Sequence, residues 1–390
     1  MQNLLRDRSQ HDARVSSVEL FFDLVFVFAI TQLSHRLLAD FTVIGVLQST
    51  ILFLGVWWVW IYTAWVTNWL DPERIPVRVL LFVLMVAGLF VSMAIPDAFG
   101  QRGLIFASAY VAMQVGRSLF MLAALYGRDA NNFRNFQRIT LWLATSGLFW
   151  LAGGLSEEGG RLILWSIALL LEYMGPSLGF RVPGLGRSST LDWNVEGHHL
   201  AERCGLFIII ALGESILVTG ATFATTQWDA ATTGAFAAAV SSSIAMWWIY
   251  FNIGAERATH KIALSEDPGR LARLAYTYIH LFIVAGIIVS AASDELVLAH
   301  PTGHIPTATA TAVLAAAATF LAGNLLFKRA TYHLWPFSHL VGLALLAVLA
   351  CTIQWLTPVL LSLCASAILV IVAVWETRSL RGRSKRLAEV

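Results

Sequence analysis

The chain has 390 residues, 57% of them hydrophobic and 13% charged, with a formal net charge of +2. Soluble domains carry about 25% charged residues, so a soluble globular fold is excluded and an all-α polytopic membrane protein is expected. The cations lie in loops, which argues against nucleic acid, and Cys204, Cys351 and Cys364 sit in apolar runs with no disulfide or metal spacing.

The opening stretch "MQNLLRDRSQHDARVSS" lacks a short apolar core ending in a cleavage site, so the first span is read as retained. Residues 1–17 then form a cytoplasmic segment. About 20 apolar residues cross about 30 Å of hydrocarbon. Runs of that kind predict spans at 18–38, 43–66, 77–95, 103–125, 137–155 and 161–180, then 198–220, 231–253, 272–297, 308–327, 338–356 and 359–377. The fifth is interrupted by Gly147 and by Gly153 with Gly154. Residues 181–197 read as a cytoplasmic linker and 378–390 as a basic cytoplasmic tail. With Arg78, Arg138, Arg161 and Arg273, at the first turns of their spans, counted with the adjoining loops, 21 of the 26 Lys and Arg fall in the termini and alternate loops, Arg102 and Arg161 fall opposite, and Arg36, Arg117 and Arg203 lie within spans. The positive-inside rule then places both termini in the cytoplasm of a multi-pass inner-membrane protein.

The halves repeat each other. "VWWVWIYTAW" at Val56 answers "MWWIYFNIGA" at Met246, and "LDPERIPVR" from Leu70 answers "EDPGRLARL" from Glu266. "MVAGLFVSMA" from Met85 answers "IVAGIIVSAA" from Ile283, and "GRSLF" from Gly116 answers "GNLLF" from Gly323. Order is kept, so two parallel six-helix repeats are expected, at 18–180 and 198–377, with their interface as the functional region. In this register Glu19 aligns with Glu202 and Thr31 with Glu214.

The first span, "SSVELFFDLVFVFAITQLSHRLL", carries Glu19 and Asp23 four residues apart, on one helix face. Such acids can anchor the positive end of a helix dipole, paired with Arg14 or Arg117, or they can line a proton or ion path. Glu214, in "IIIALGESILV", has no charged residue in the ten positions before it and reads as functional rather than structural. Arg117, in "AMQVGRSLFML", needs a carboxylate among Asp23, Glu172 and Glu214, and reads first as a structural ion pair. "EGHHLAER" places His198 and Glu202 one turn apart, next to His199 and Arg203, as a group able to hold a metal or pass protons. An intramembrane metal enzyme would need His199, His280 and His339 to converge. Glu172 and Glu376 are expected to reach the interface from span ends. The mid-span tryptophans read as packing, and no Walker, dinucleotide or nucleophile-elbow motif occurs.

"VELFFDLVFVFAITQLS" and "HLAERCGLFIIIALGESIL" resemble the bacterial low temperature requirement A (LtrA) family over most of the chain. The resemblance implies a multi-pass inner-membrane protein linked by name to growth in the cold, and no known biochemical activity. Glu19, Asp23, His199, Glu202, Arg203 and Glu214 are the positions that match its motifs. "FFDLVFVFAIT" is also similar to the first-span motif of the endolysosomal potassium channel family, whose first helices line the pore. Arg14 lies nine residues before Asp23 rather than six, and Leu206 stands where the second aspartate would be.

These readings favour permeation or secondary transport of a small solute or ion, with Glu19, Asp23, Glu202 and Glu214 as the polar path and Arg117, His199 and Arg203 around it. The alternatives are an intramembrane metal-dependent lipid-modifying enzyme and a non-catalytic membrane organiser. No catalytic residue, bound metal or cofactor is assigned. The expected partners are the bilayer and the small solute or ion, and a homo-oligomer is compatible with the chain.

Overall fold

A computed structural model of the chain describes residues 3–6, 15–189, 195–252, 267–332 and 335–388, with side chains to residue 379. Arg14 and Glu266, used in the sequence readings, lie outside the described residues. Among the described residues every regular element of any length is a helix. In chain order these are α1 (Ser17–Ala39), α2 (Val43–Trp69), α3 (Ile75–Ala94), α4 (Gly103–Leu125), α5 (Ala130–Leu155) and α6 (Glu158–Ser177). There follow α7 (Gly197–Thr225), α8 (Ala230–Phe251), α9 (Pro268–Ala299), α10 (Thr307–Tyr332), α11 (Phe337–Ala350) and α12 (Pro358–Ala388). Among the described residues, nine helices are long and apolar enough to cross a membrane: α1 to α4, α7 to α10, and α12.

The other three depart from the predicted spans for visible reasons. Helix α5 starts at Ala130 rather than 137, capped by Asp129, so its first turns carry Asn131, Asn132, Arg134 and Asn135. Helix α6 has Pro176 inside its last turn. Helix α11 stops at Ala350, before a short 3-10 turn at Ile353–Trp355. Its 14 residues reach only about 21 Å at 1.5 Å per residue, less than the hydrocarbon thickness.

The residues divide into two compact units, one within Met1–Arg203 with Ser265–Arg270, the other within Cys204–Leu264 and Leu271–Val390. The division falls inside α7, just after Arg203. In the first unit α2 packs on α1, α4 and α6, α3 on α1 and α4, and α5 on α4 and α6. Helix α2 is enclosed on nearly every side, with Trp57, Trp58 and Trp60 buried. Trp58 stacks on Tyr173 at 4.0 Å between ring centroids, so most mid-span tryptophans serve packing as expected.

In the second unit α8 packs on α9, α10 and α12, α10 on α9, α11 and α12, and α11 on α12. Backbones of α9 and α10 approach closely because Gly286 is small: a Cβ there would lie 2.6 Å from the Phe320 nitrogen. The segment Arg273–Ile279 of α9 winds as a π-helix, and His280 Nδ1 lies 2.8 Å from the Ala275 carbonyl. Lys328, read from sequence as a loop cation, is buried in α10 and pairs with Glu376 at 2.6 Å. Its long helix continues past the apolar run, and the carboxylate on α12 makes that placement tolerable.

Candidate functional site

Helix α1 sorts its residues by face. Leu20, Phe21, Leu24 and Phe28 are exposed, as lipid-facing residues are, while Glu19, Phe22, Asp23, Phe26, Ile30 and Leu33 point inward. Both carboxylates are therefore interior, with no measurable exposure.

Glu19 begins the site as a cap. Ser16 Oγ accepts the Glu19 backbone N–H at 3.3 Å, and Glu19 Oε2 accepts the Ser16 N–H at 2.9 Å, which is a capping box. The same side chain then collects charge. Oε1 accepts from Arg203 Nη1 at 3.0 Å and lies 2.8 Å from His199 Nε2; Oε2 accepts from Arg6 Nη2 at 3.2 Å. Arg203 Nη2 reaches on to Asp23 Oδ1 at 2.6 Å, where Trp60 Nε1 also donates at 2.8 Å. Arg203 further stands over the Trp60 ring, 5.9 Å from its centroid. Two carboxylates thus share two guanidinium groups, which satisfies the requirement that buried charge be paired.

The two acids differ in how fully they are used. Both oxygens of Glu19 are engaged, whereas Asp23 Oδ2 is buried with no hydrogen-bond partner among the described residues. Asp23 can take a proton at Oδ2 while both bonds at Oδ1 persist; on Glu19 a proton at Oε2 would displace an existing donor, and one at Oε1 would have to point at His199 Nε2.

Around this core the chain is fastened by its polar ends. Residues Leu4–Arg6 run along the end of α2, with Arg6 N–H donating to the Trp69 carbonyl and Arg6 Nε to the Thr67 carbonyl at 2.8 Å. Asn68 holds the start of α7: its Nδ2 donates to the Glu196 carbonyl at 2.8 Å and lies 3.4 Å from His199 Nδ1. Glu202 accepts the Val15 N–H at 3.1 Å, tying α7 to the entry of α1. His198 is exposed, and among the described residues no group of three or more His, Cys, Asp or Glu is placed to hold a metal. His280 instead meets Tyr250 OH at 2.8 Å, and His339 meets Lys328 at 3.3 Å.

Arg117 corrects its expectation. It pairs with none of Asp23, Glu172 or Glu214 directly among the described residues; it donates to Thr63 Oγ1 at 2.8 Å, to the Val59 carbonyl at 3.1 Å and to Gln114 Oε1. Gln114 Nε2 donates to Tyr110 OH at 3.1 Å, and Tyr110 donates to Glu172 at 2.5 Å. The charge on Arg117 is therefore met at a distance, through an amide and a phenol. Glu172, expected at the interface, is buried and also accepts from Ser146 at 2.7 Å and Trp150 at 3.1 Å. Glu376 is likewise buried, against Lys328. In both cases bulky aromatic or lysine neighbours enclose a carboxylate whose sequence position looked terminal. Glu214 is buried in the part of α7 that belongs to the second unit.

Sequence reading missed Arg6, Trp60, Asn68 and the Tyr110–Glu172 bond. Only the cap had a local signal, Ser16 three residues before Glu19.

The profile of the bacterial low temperature requirement A protein (LtrA) matches residues 14–374. The chain belongs to the LtrA family. It is 42% identical over 379 residues to an uncharacterized protein of Rhizobium meliloti (strain 1021), covering 97% of this chain and 92% of that one. No solved structure matches it. The LtrA match includes Glu19, Asp23, His199, Glu202, Arg203 and Glu214 and leaves Arg6 outside. This LtrA protein is all-helical and carries multiple apolar helices of membrane-crossing length.

Proposed function

We propose that this LtrA protein moves a small solute or ion across the inner membrane, with the carboxylates of α1 as part of a proton- or cation-sensitive path. The observation that carries this reading is Asp23: a fully buried carboxylate with one oxygen held by Arg203 and Trp60 and the other unpartnered among the described residues. Buried ionisable groups in membrane helices are costly and are retained chiefly for ion and proton pathways. Glu19, with Arg6, His199 and Arg203, positions α1 against α7; Asp23 exchanges the proton or cation. Glu214 continues the polar path, and Glu202 fastens α7.

The proposed architecture is twelve crossings in two parallel repeats with cytoplasmic termini. Similar packing supports it: α3 on α4, α2 on α6 and α5 on α6 in one unit have counterparts in α9 on α10, α8 on α12 and α11 on α12 in the other. Superposing the two units as parallel six-helix bodies in an experimental structure tests the repeat. A reporter fused after residue 390 should register in the cytoplasm, and cysteines at 100 and 300 should react with an impermeant reagent from outside.

A second reading has its own support. The complete saturation of Glu19 suits a lock that holds helices together, so a membrane organiser without flux is the rival. Flux of protons, alkali cations and small anions into proteoliposomes separates the two. Flux above empty vesicles for any of them supports transport, and none across the panel favours the organiser.

A further inference from the structure

Away from the α1 network, the start of α5 and the loop after α6 enclose a polar cleft of about 180 Å³. A water molecule occupies about 30 Å³ in the liquid, so the space exceeds that of a single trapped water. The loop is shaped by glycine: Gly184 and Gly186 have φ of 81° and 74°, and Val182 and Gly186 exchange two backbone hydrogen bonds of 3.0 Å. This turn delivers Arg187 and Ser188 beside Arg134, Asn135 and Arg138 of α5. Arg138 is spent partly on the loop itself, donating to the Leu185 carbonyl at 2.8 Å and lying 3.4 Å from Ser188 Oγ.

Three features of the cleft point to an anion. Its lining contains three arginines and no acid among the described residues. The side chains of Arg134 and Arg187 are exposed, with no hydrogen-bond or ion-pair partner among the described residues. Asn135 is 5% exposed, and while its Oδ1 accepts from Ser188, its Nδ2 is buried without a partner. A buried amide donor left unmade is costly, and one flanked by guanidinium groups is the donor set that a phosphate oxygen satisfies. The nearest acid in sequence, Asp129, does not line the cleft and is occupied as the cap of α5, accepting the Asn132 N–H and Nδ2 at 3.0 and 2.7 Å. The start of α5 and the loop after α6 both lie on the cation-rich side of the topology proposed above, the side where basic pockets meet anionic headgroups.

We infer that the cleft formed by Arg134, Asn135, Arg138 and Arg187 binds a phosphate group. The group can arrive on an anionic phospholipid or as free phosphate, and the test separates the sources. Full-length protein is placed in phosphatidylcholine nanodiscs containing a small fraction of phosphatidylglycerol, and retained lipid is read by native mass spectrometry after release. In parallel, inorganic phosphate is titrated into protein held in pure phosphatidylcholine nanodiscs. The variant is Arg134→Gln with Arg187→Gln, both exposed positions, and Arg74→Gln in another cation-rich loop is the control. Each arginine near an anionic surface contributes about fivefold in binding, so the double variant should bind about 25-fold more weakly. Selective retention of phosphatidylglycerol that is lost in the double variant and kept in the control supports a lipid headgroup site. Phosphate binding with that same pattern supports a soluble phosphate site. Absence of both, or equal binding by parent and double variant, overturns the inference. Should the double variant fail to fold, Arg187→Gln alone is read against the same control, with about fivefold weakening expected and no change contradicting the site.

Discussion

Arg203 and Arg117 are both sealed inside the first unit, at 0% and 1% exposure, yet they are neutralised in different ways. Arg203 touches two carboxylates directly, whereas Arg117 touches a hydroxyl, a carbonyl and an amide, with Glu172 two hydrogen bonds beyond. The direct arrangement concentrates charge, so removing its cation strands Asp23 and leaves Glu19 with Arg6 and His199 alone. The relayed arrangement spreads it, and removal leaves mainly neutral acceptors. The first therefore behaves as a charge centre and the second as a hydrogen-bonded brace across α2, α4, α5 and α6.

The contrast can be broken by substitution, and the largest effect belongs to Arg203→Met. Stranding Asp23 and taking one of two guanidinium partners from Glu19 should cost about 3–5 kcal/mol, seen as lost monodisperse protein or a sharply lowered melting temperature in detergent. Adding Glu19→Gln and Asp23→Asn to that variant should recover much of the loss; no recovery would show that Arg203 acts through packing on Trp60. Arg117→Met should cost less, about 1–3 kcal/mol, because what remains unpaired is Gln114, Thr63 and a carbonyl. If the two arginine variants are equally damaged, direct and relayed neutralisation are not different in kind.

Glu172→Gln sharpens the relay. The amide oxygen can still accept from Ser146 and Trp150, but the carboxylate that meets the Arg117 charge is gone, so the melt should fall by about 1–3 kcal/mol, no more than for Arg117→Met. The smallest effect is Arg74→Gln. Arg74 pairs with Asp71 at 3.2 Å on the surface, and such pairs contribute under about 1 kcal/mol, so its melt should match the parent's.

The comparison also marks how far sequence reached. Glu19 and Asp23 share an inward face because they stand four residues apart, and that periodicity is readable without a structure. The positions of Glu172 and Glu376 near span ends misled, since burial depends on which aromatic or basic side chain a neighbouring helix supplies. Arg6 was invisible as a partner because it reaches Glu19 only when Leu4–Arg6 folds back along the end of α2. Helix α11 looked long enough as an apolar run, but its helix stops at Ala350, and hydropathy carries no record of that stop.

The division of labour proposed for α1 is that Asp23 exchanges a proton or cation while Glu19 is fixed. It is tested by pH-dependent flux in proteoliposomes carrying parent, Asp23→Asn or Glu214→Gln protein at equal, folded amounts. Asp23→Asn keeps the acceptor that meets Arg203 and Trp60, so it should change the melt by only about 1 kcal/mol. Both variants should stay folded and lose the pH-dependent flux shown by the parent. Folded Asp23→Asn protein with parental flux at every pH would contradict that division.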